Sequence, residues 1–279
     1  MRDPNVPESL EGWWILHRMF AFDRRAWDAL SEKKRHKIAQ HATDLIEHLQ
    51  GSADGDASLA QLVGHKGDLM LTHYAKSYDG LAYAQTLVDK LDLSDFLIPL
   101  GSYVSILEVG LYDATGKLHA ELASRDLKPN SPEWIVAFDG ALKAQAESPY
   151  VGPRLYAKVP RRRYVCFYPM DKRRGETENW YALPFAERAA LMTAHGRVGR
   201  AYHGQVTQVI SGSIGFDDFE WGVDLYADDP LVFKKLVYEM RFDEASSKYG
   251  EFGAFWSGLQ FSPKELQVFL DGDAVPSLD

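Results

Sequence analysis

Apolar residues crowd positions 12–22 (GWWILHRMFAF), which predicts a buried strand of aromatic and aliphatic side chains. Asp23 stands where an N-cap belongs, and Phe22 and Trp27 are spaced as a hydrophobic staple. Trp27, Leu30, Ile38, Ala42, Leu45 and Leu49 then recur at helical spacing until Gly51. Residues 51–57 (GSADGDA) read as a flexible loop, followed by a strand near 68–75, a helix near 79–91 and a strand near 102–112. Ser131, Pro132 and Glu133 open another helix that stops at Ser148 and Pro149. The Pro- and Arg-containing stretch 148–163 reads as a crossover between two halves.

The second half has a sharper pattern: strand 164–172, helix 184–202, strands 205–213 and 220–227, helix 230–248, strand 251–261. Pro184 and Pro230 sit where first-turn prolines belong, with Asp229 as the cap before Pro230. The order β-α-β-β-α-β is ferredoxin-like. The first half repeats it with one clear strand where two are required. The expected fold class is α+β, two ferredoxin-like modules in one chain: residues 1–125, a crossover at 126–163, and a second module at 164–279.

A chain of 279 residues with 46% hydrophobic content can fill a real core. A net charge of −9 speaks against nucleic acid as a partner, since a phosphate-binding surface needs a basic excess. Cys166 is the only cysteine, so there is no disulfide framework or cysteine metal cluster, and a reducing, cytoplasmic setting is expected. The N-terminus lacks a basic-then-apolar pattern and no stretch approaches eighteen apolar residues, so neither a signal peptide nor a membrane span is expected.

Among residues that could carry chemistry, His195 shares a helix face with Leu191 and Met192. It is either a core histidine bonded to a neighbour or a ligand. No second histidine stands at metal-ligand spacing, so a zinc site held by protein alone has little support, but one imidazole suffices where a porphyrin supplies four nitrogens. In the strand YVCFYPMDKRR (164–174), Tyr164, Cys166, Tyr168, Met170 and Lys172 share a face, and Tyr168 is either a core tyrosine at the sheet edge or part of a site. From Arg154 to Arg174 there are eight basic residues and one acid, Asp171, in a chain that is acidic as a whole. Such a run is either a solvated face or a set of partners for a flat, apolar ligand with carboxylate arms. Gln208 puts an amide among Val206 and Ile210, where it needs a protein partner or a ligand. Arg241 and Ser246 lie near the end of helix 230–248, ordinary surface residues unless a pocket reaches them. GxGxxG, P-loop and GxSxG motifs are missing from the sequence, leaving nucleotide and serine-hydrolase readings without support.

The runs YPMDKRR (168–174), NWYALPFAERAALMTAHGRVGRAYHG (179–204), QVISGSIGFDDFEWGV (208–223) and DDPLVFKKLVYEMRFDEASSKYGEFG (228–253) closely resemble coproheme decarboxylases, the haem-biosynthetic branch of the chlorite dismutase-like superfamily. WWILHRMFAFD (13–23) and HKGDLMLTHY (65–74) fit the same pattern. The resemblance implies a dimeric α+β barrel in each subunit and a homopentamer. It places the proximal iron ligand on His195, the oxidised tyrosine on Tyr168 and the distal residue on Gln208, which makes this a glutamine-type member. Arg154, Lys172, Arg200, Arg241 and Ser246 fall on or near positions that hold propionates.

The implied substrate is iron coproporphyrin III (coproheme) with hydrogen peroxide, and the implied product is haem b. Tyr168 would pass an oxidising equivalent to a propionate, which loses carbon dioxide and becomes a vinyl; two peroxides per haem are expected. Gln208 cannot shuttle a proton as a distal histidine would, so general peroxidase turnover should be poor. A transient contact with a ferrochelatase is also implied. The competing readings are another haem enzyme on this scaffold, a peroxidase or chlorite dismutase, and a non-enzymatic haem carrier. Chlorite-splitting relatives carry an arginine at the distal place, which weighs against chlorite as substrate.

Overall fold

The computed structural model describes residues 2–3, 5–149 and 151–278. The chain runs β1 (Ser9–Phe22), α1 (Arg24–Asp28), α2 (Glu32–Gln50), β2 (Gly55–Leu62), β3 (Leu69–Ala75), α3 (Tyr78–Asp89), β4 (Leu97–Gly110), α4 (Tyr112–Ser124), α5 (Pro132–Ala146) and α6 (Gly152–Leu155). The second half continues β5 (Tyr164–Lys172), α7 (Phe185–Ala201), β6 (Val206–Gly212), β7 (Trp221–Ala227), α8 (Leu231–Met240), α9 (Glu244–Ser247), β8 (Gly250–Phe252), β9 (Trp256–Phe261) and α10 (Leu266–Asp271).

The strands pair in the order β7-β6-β4-β1-β3-β2-β9-β5-β8, and a further β5–β7 pairing closes the sheet on itself. Each half contributes four strands in one and the same order, β4-β1-β3-β2 and β9-β5-β7-β6, which is the ferredoxin-like order twice over. The seams differ in extent. β2 meets β9 from Leu59↔Phe261 to Leu62↔Gly258, whereas β4 meets β6 only at Ile106↔Gly212 and Leu107↔Ser211. Inner faces fill the barrel with Ile15, Met19, Met70, Tyr74, Tyr103, Phe167 and Tyr226. On the outside, α2, α3 and α10 cover the first sheet, and α8 packs Val232, Phe233 and Leu236 over the second. No helix of the described residues is long and apolar enough to cross a membrane.

Several sequence expectations need correction. The 51–57 loop is half strand: β2 begins at Gly55, where a side chain would run into the Tyr74 carbonyl. Glycine and aspartate, which read as loop formers, are there because the backbones pack closely and because Asp56, 1% exposed, accepts from Arg161 (2.8 Å) and from the Val159 N–H (2.8 Å). With β2 in place the first half has the second strand it seemed to lack. The helix after Asp23 is two helices. Asp23 does cap, accepting from the Ala26 N–H at 3.0 Å, but Ser31 turns extended and starts α2. Helix 230–248 breaks at residues 241–243, and strand 251–261 breaks at 253–255, with both pieces lying along β5. β4 starts at Leu97, earlier than expected, and α4 went unpredicted.

Inside the barrel, His17 of β1 and Asp224 of β7 are each 0% exposed and pair at 3.0 Å, joining the two halves across the interior. His17 also stacks on Phe167, ring centroids 4.0 Å apart. A buried pair of this kind is costly to break from one side, because the remaining charge keeps its desolvation penalty without its partner. His17→Ala is expected to lower stability by about 3–5 kcal/mol, read as a lower urea midpoint. Replacing both partners by leucine should lose markedly less. Equal losses would show that the pair contributes only through packing.

Candidate functional site

The outer face of the second sheet is the less closely covered of the two. On β5, Tyr164, Cys166, Tyr168 and Met170 all join the same outer cluster, as the two-residue period required. The helix opposite, α7, behaves unlike the others. Among the described residues its only fully buried side chain is Arg188, which donates to the Asn5 carbonyl, while Leu191, Met192, His195 and Val198 are half-buried. Its main contacts are with α4, α8 and α9. An apolar helix face that does not close-pack against a sheet leaves a slot between them.

His195 faces this slot. Its Nδ1 lies 2.8 Å from the Asp243 carboxylate, which can only accept, so Nδ1 carries a proton and the lone pair of the neutral ring is on Nε2. This is the arrangement by which a carboxylate orients a metal-ligating imidazole. Asp243 is held in turn: it caps α9, accepting from the Ser246 N–H (3.2 Å) and from the Ser246 hydroxyl (3.2 Å). The helix break at residues 241–243 is what puts this carboxylate there. Ser246 and Asp243 approach the same ring nitrogen, so the three residues cannot relay a proton as a hydrolase triad does.

Lys172 closes one end of the site. It is buried, holds its ammonium 4.5 Å above the Trp180 ring and donates to the Ala245 carbonyl at 3.0 Å. Burial lowers its pKa to about 8, against the opposing pull of Asp243 and Glu220. Tyr168 is buried under Phe255, 4.4 Å between centroids, and no group among the described residues hydrogen-bonds its hydroxyl. Burial pushes its phenol pKa far up, the Arg241 charge opposing. Arg241 stacks its guanidinium 3.8 Å over Phe252, whose ring lies 5.9 Å from Tyr168. Gln208 reaches the Gly199 carbonyl of α7 at 3.5 Å, a long contact that leaves most of its amide's capacity unused.

The structure therefore gathers His195, Ser246 and Lys172 about Asp243, and Tyr168 with Arg241 about the Phe252–Phe255 pair. Arg200 is exposed and lies back along its own helix against Gly196. Arg154 sits on α6, which packs on β1 and β4, and among the described residues no contact joins it to the other candidates. The basic run has a different use from the one its composition suggested. Lys158 holds the Ser52 and Gly55 carbonyls, Arg162 those of Gly204 and Gln205, and Arg163 those of Gln260 and Pro276. Arg161 pairs with Asp56, Arg173 with Glu178 and Glu251, and Arg174 with Glu220. Most of these charges tie the crossover to the barrel. Asp243, Phe255 and Trp180 were missed by sequence reasoning; Asp243 had a signal, an aspartate three residues before Ser246 that reads as an N-cap inside an apparent helix.

An imidazole oriented by a carboxylate on a half-buried helix face, a buried cation beside the same carboxylate and an unpartnered phenol on the facing strand suit a flat, apolar, metal-bearing ligand with carboxylate arms. Comparisons with known proteins point the same way. The chain is 42% identical to the coproheme decarboxylase of Staphylococcus saprophyticus over 270 residues, 95% of this chain and 98% of that protein. It is 40% identical to the coproheme decarboxylase of Staphylococcus carnosus over 265 residues, covering 94% and 97%. Among solved structures, a haem-binding protein from Thermus thermophilus matches with a TM-score of 0.81 at 39% identity, covering 97% of this chain and 99% of that one. A mutant chlorite dismutase from Candidatus Nitrospira defluvii matches in fold, with a TM-score of 0.70 at 19% identity over 94% and 97% of the two chains. The model of the family described as chlorite dismutase matches residues 35–261, most of the chain, which accordingly belongs to the chlorite dismutase family.

Proposed function

We propose that this protein converts iron coproporphyrin III to haem b, using hydrogen peroxide to remove two propionate carboxyl groups as carbon dioxide. The observation that carries the reading is the His195–Asp243 pair facing a slot that also contains buried Lys172 and an unpartnered Tyr168 hydroxyl. It is supported by the identity to named coproheme decarboxylases over nearly the whole chain. For each propionic acid group, one peroxide is consumed and one carbon dioxide, one vinyl and two waters result, a two-electron oxidation. Bound coproheme is the substrate, and its iron is where peroxide is reduced.

The chain's own residues then divide the work. His195 Nε2 would hold the iron, with Asp243 fixing ring and tautomer. Lys172 and Arg241 would hold propionates, joined by Ser246 and, from further out, Arg154 and Arg200. Tyr168 would give up its phenolic hydrogen and take one from a propionate side chain. Gln208 would orient the distal ligand, which makes this a glutamine-type enzyme. A homopentamer, a cytoplasmic setting, transient contact with a ferrochelatase and module boundaries at 1–125, 126–163 and 164–279 belong to the same reading. Mass spectrometry after adding ferric coproporphyrin III and peroxide tests it: two carboxyl groups should be lost, and an unaltered or merely bleached porphyrin would refute it.

Three outcomes follow from the residue roles. Tyr168→Phe should fold, bind coproheme and consume peroxide, yet make essentially no haem b on chromatography, because water can replace a hydrogen-bond donor but not a redox-active phenol. Substantial haem b from the variant would return Tyr168 to the core. His195→Ala should still bind the four-propionate porphyrin but lose the five-coordinate histidine-ligated ferric spectrum. Lys172 is an ammonium below a pKa of about 8 and neutral above it, so coproheme affinity in titrations should fall as pH rises through that value. Lys172→Arg should abolish that fall, since a guanidinium stays charged throughout.

A further inference from the structure

The segment between β8 and β9 interrupts what would otherwise be one strand, and the interruption falls beside Tyr168. The Gly253 N–H donates to the Pro169 carbonyl at 2.9 Å, the residue next to Tyr168 on β5. Gly253 is wedged there: a side chain would stand 2.7 Å from Pro169 Cγ and 2.8 Å from Phe219 Cζ. Two residues on, Phe255 lays its ring on Tyr168, centroids 4.4 Å apart and planes 22° from parallel. The far side of this segment is tied to the first half of the chain. Lys66, in the β2–β3 hairpin, donates from Nζ to the Phe255 carbonyl at 2.7 Å, and the Val63 N–H donates to the Ser257 carbonyl at 2.9 Å. Phe255 is thus held between Tyr168's own strand and a hairpin of the other half.

We infer that Phe255, tethered by Lys66, is a positioning residue that clamps the Tyr168 ring in its reactive orientation; this rests on the redox role proposed for Tyr168. The torsion about a tyrosine's Cβ–ring bond is broad and roughly two-fold, so packing rather than covalent preference sets it. Among the described residues Tyr168 has no hydrogen-bond partner at its hydroxyl to fix the ring from that end. The remaining constraint is the ring against its face, and Phe255 supplies the closer and more nearly parallel of its two aromatic contacts, Phe252 lying at 5.9 Å and 50°. A displacement of about 1 Å can cost about a hundredfold in rate. The hairpin of the first half thereby reaches into chemistry carried by the second.

The test uses protein labelled with 3-fluorotyrosine, the Tyr168 signal being the one lost in Tyr168→Phe. In ligand-free protein this fluorine line should shift and narrow in Phe255→Leu, as the stacked ring is removed and the phenol gains freedom. It should move part of the way in Lys66→Met, a surface change that leaves the core intact, and return in Lys66→Arg. Haem b formed per peroxide should fall about tenfold in Phe255→Leu and about threefold in Lys66→Met, with coproheme affinity within about twofold of the parent. An unchanged line in both variants would overturn the clamp. A loosened ring with full haem b yield would overturn its part in the reaction. Equal haem b from the parent and Tyr168→Phe would instead remove the role of Tyr168, leaving the fluorine result to report on the clamp alone.

Discussion

Closing two four-stranded sheets into one barrel seals most inner-facing side chains away from solvent, and the rest of the molecule is arranged around that constraint. The interior is filled by large apolar and aromatic residues from both halves, with His17 and Asp224 paired across it. A ligand the size of a porphyrin has no place there. Only the outer faces remain, and the first is taken by α2, α3 and α10 packed closely on β1, β2 and β3. The second is covered at one side by α8, but α7 contributes a half-buried face. The slot follows from that difference in how well two helices cover one sheet.

Within the slot, helix and strand breaks do as much as regular elements. The break between α8 and α9 frees Asp243 to cap a new helix, and the cap geometry turns the same carboxylate toward His195. Asp243 also acts electrostatically on Lys172, so one buried anion serves both the imidazole and the cation. The break between β8 and β9 brings Phe252 and Phe255 over Tyr168. Continuous elements at these two places would have packed more regularly and left the site without its supports.

Much of this was legible in the sequence where local physics decides. The strand at 164–172 and its alternation placed Cys166, Tyr168 and Met170 on one face, as observed, because a two-residue period cannot be satisfied any other way beside a barrel. Asp23 and Ser131 were recognisable as caps because the N-cap interaction spans only three residues. The family resemblance was carried by long runs in the second half, and the match over residues 35–261 agrees with it. The basic run from Arg154 to Arg174 shows the limit of composition. Count and sign were plain, but whether a guanidinium meets a ligand or a backbone carbonyl depends on what the fold brings within reach.

By itself, then, the sequence determined the α+β class, the β-α-β-β-α-β order of the second half and the face on which the β5 residues Cys166, Tyr168 and Met170 lie, since all of these arise from interactions between residues near one another in the chain. Tertiary structure alone decided that Gly55 and Asp56 belong to a strand, that Asp243 meets His195 across 48 positions, and that Lys66 holds the backbone carbonyl of Phe255, whose ring covers Tyr168, from 189 positions away. Backbone closeness at Gly55, the ion pair of Asp56 with Arg161, and the hydrogen bonds of Asp243 with His195 and of Lys66 with the Phe255 carbonyl are contacts between distant segments. Their partners become neighbours only when the barrel closes, and no local periodicity records them.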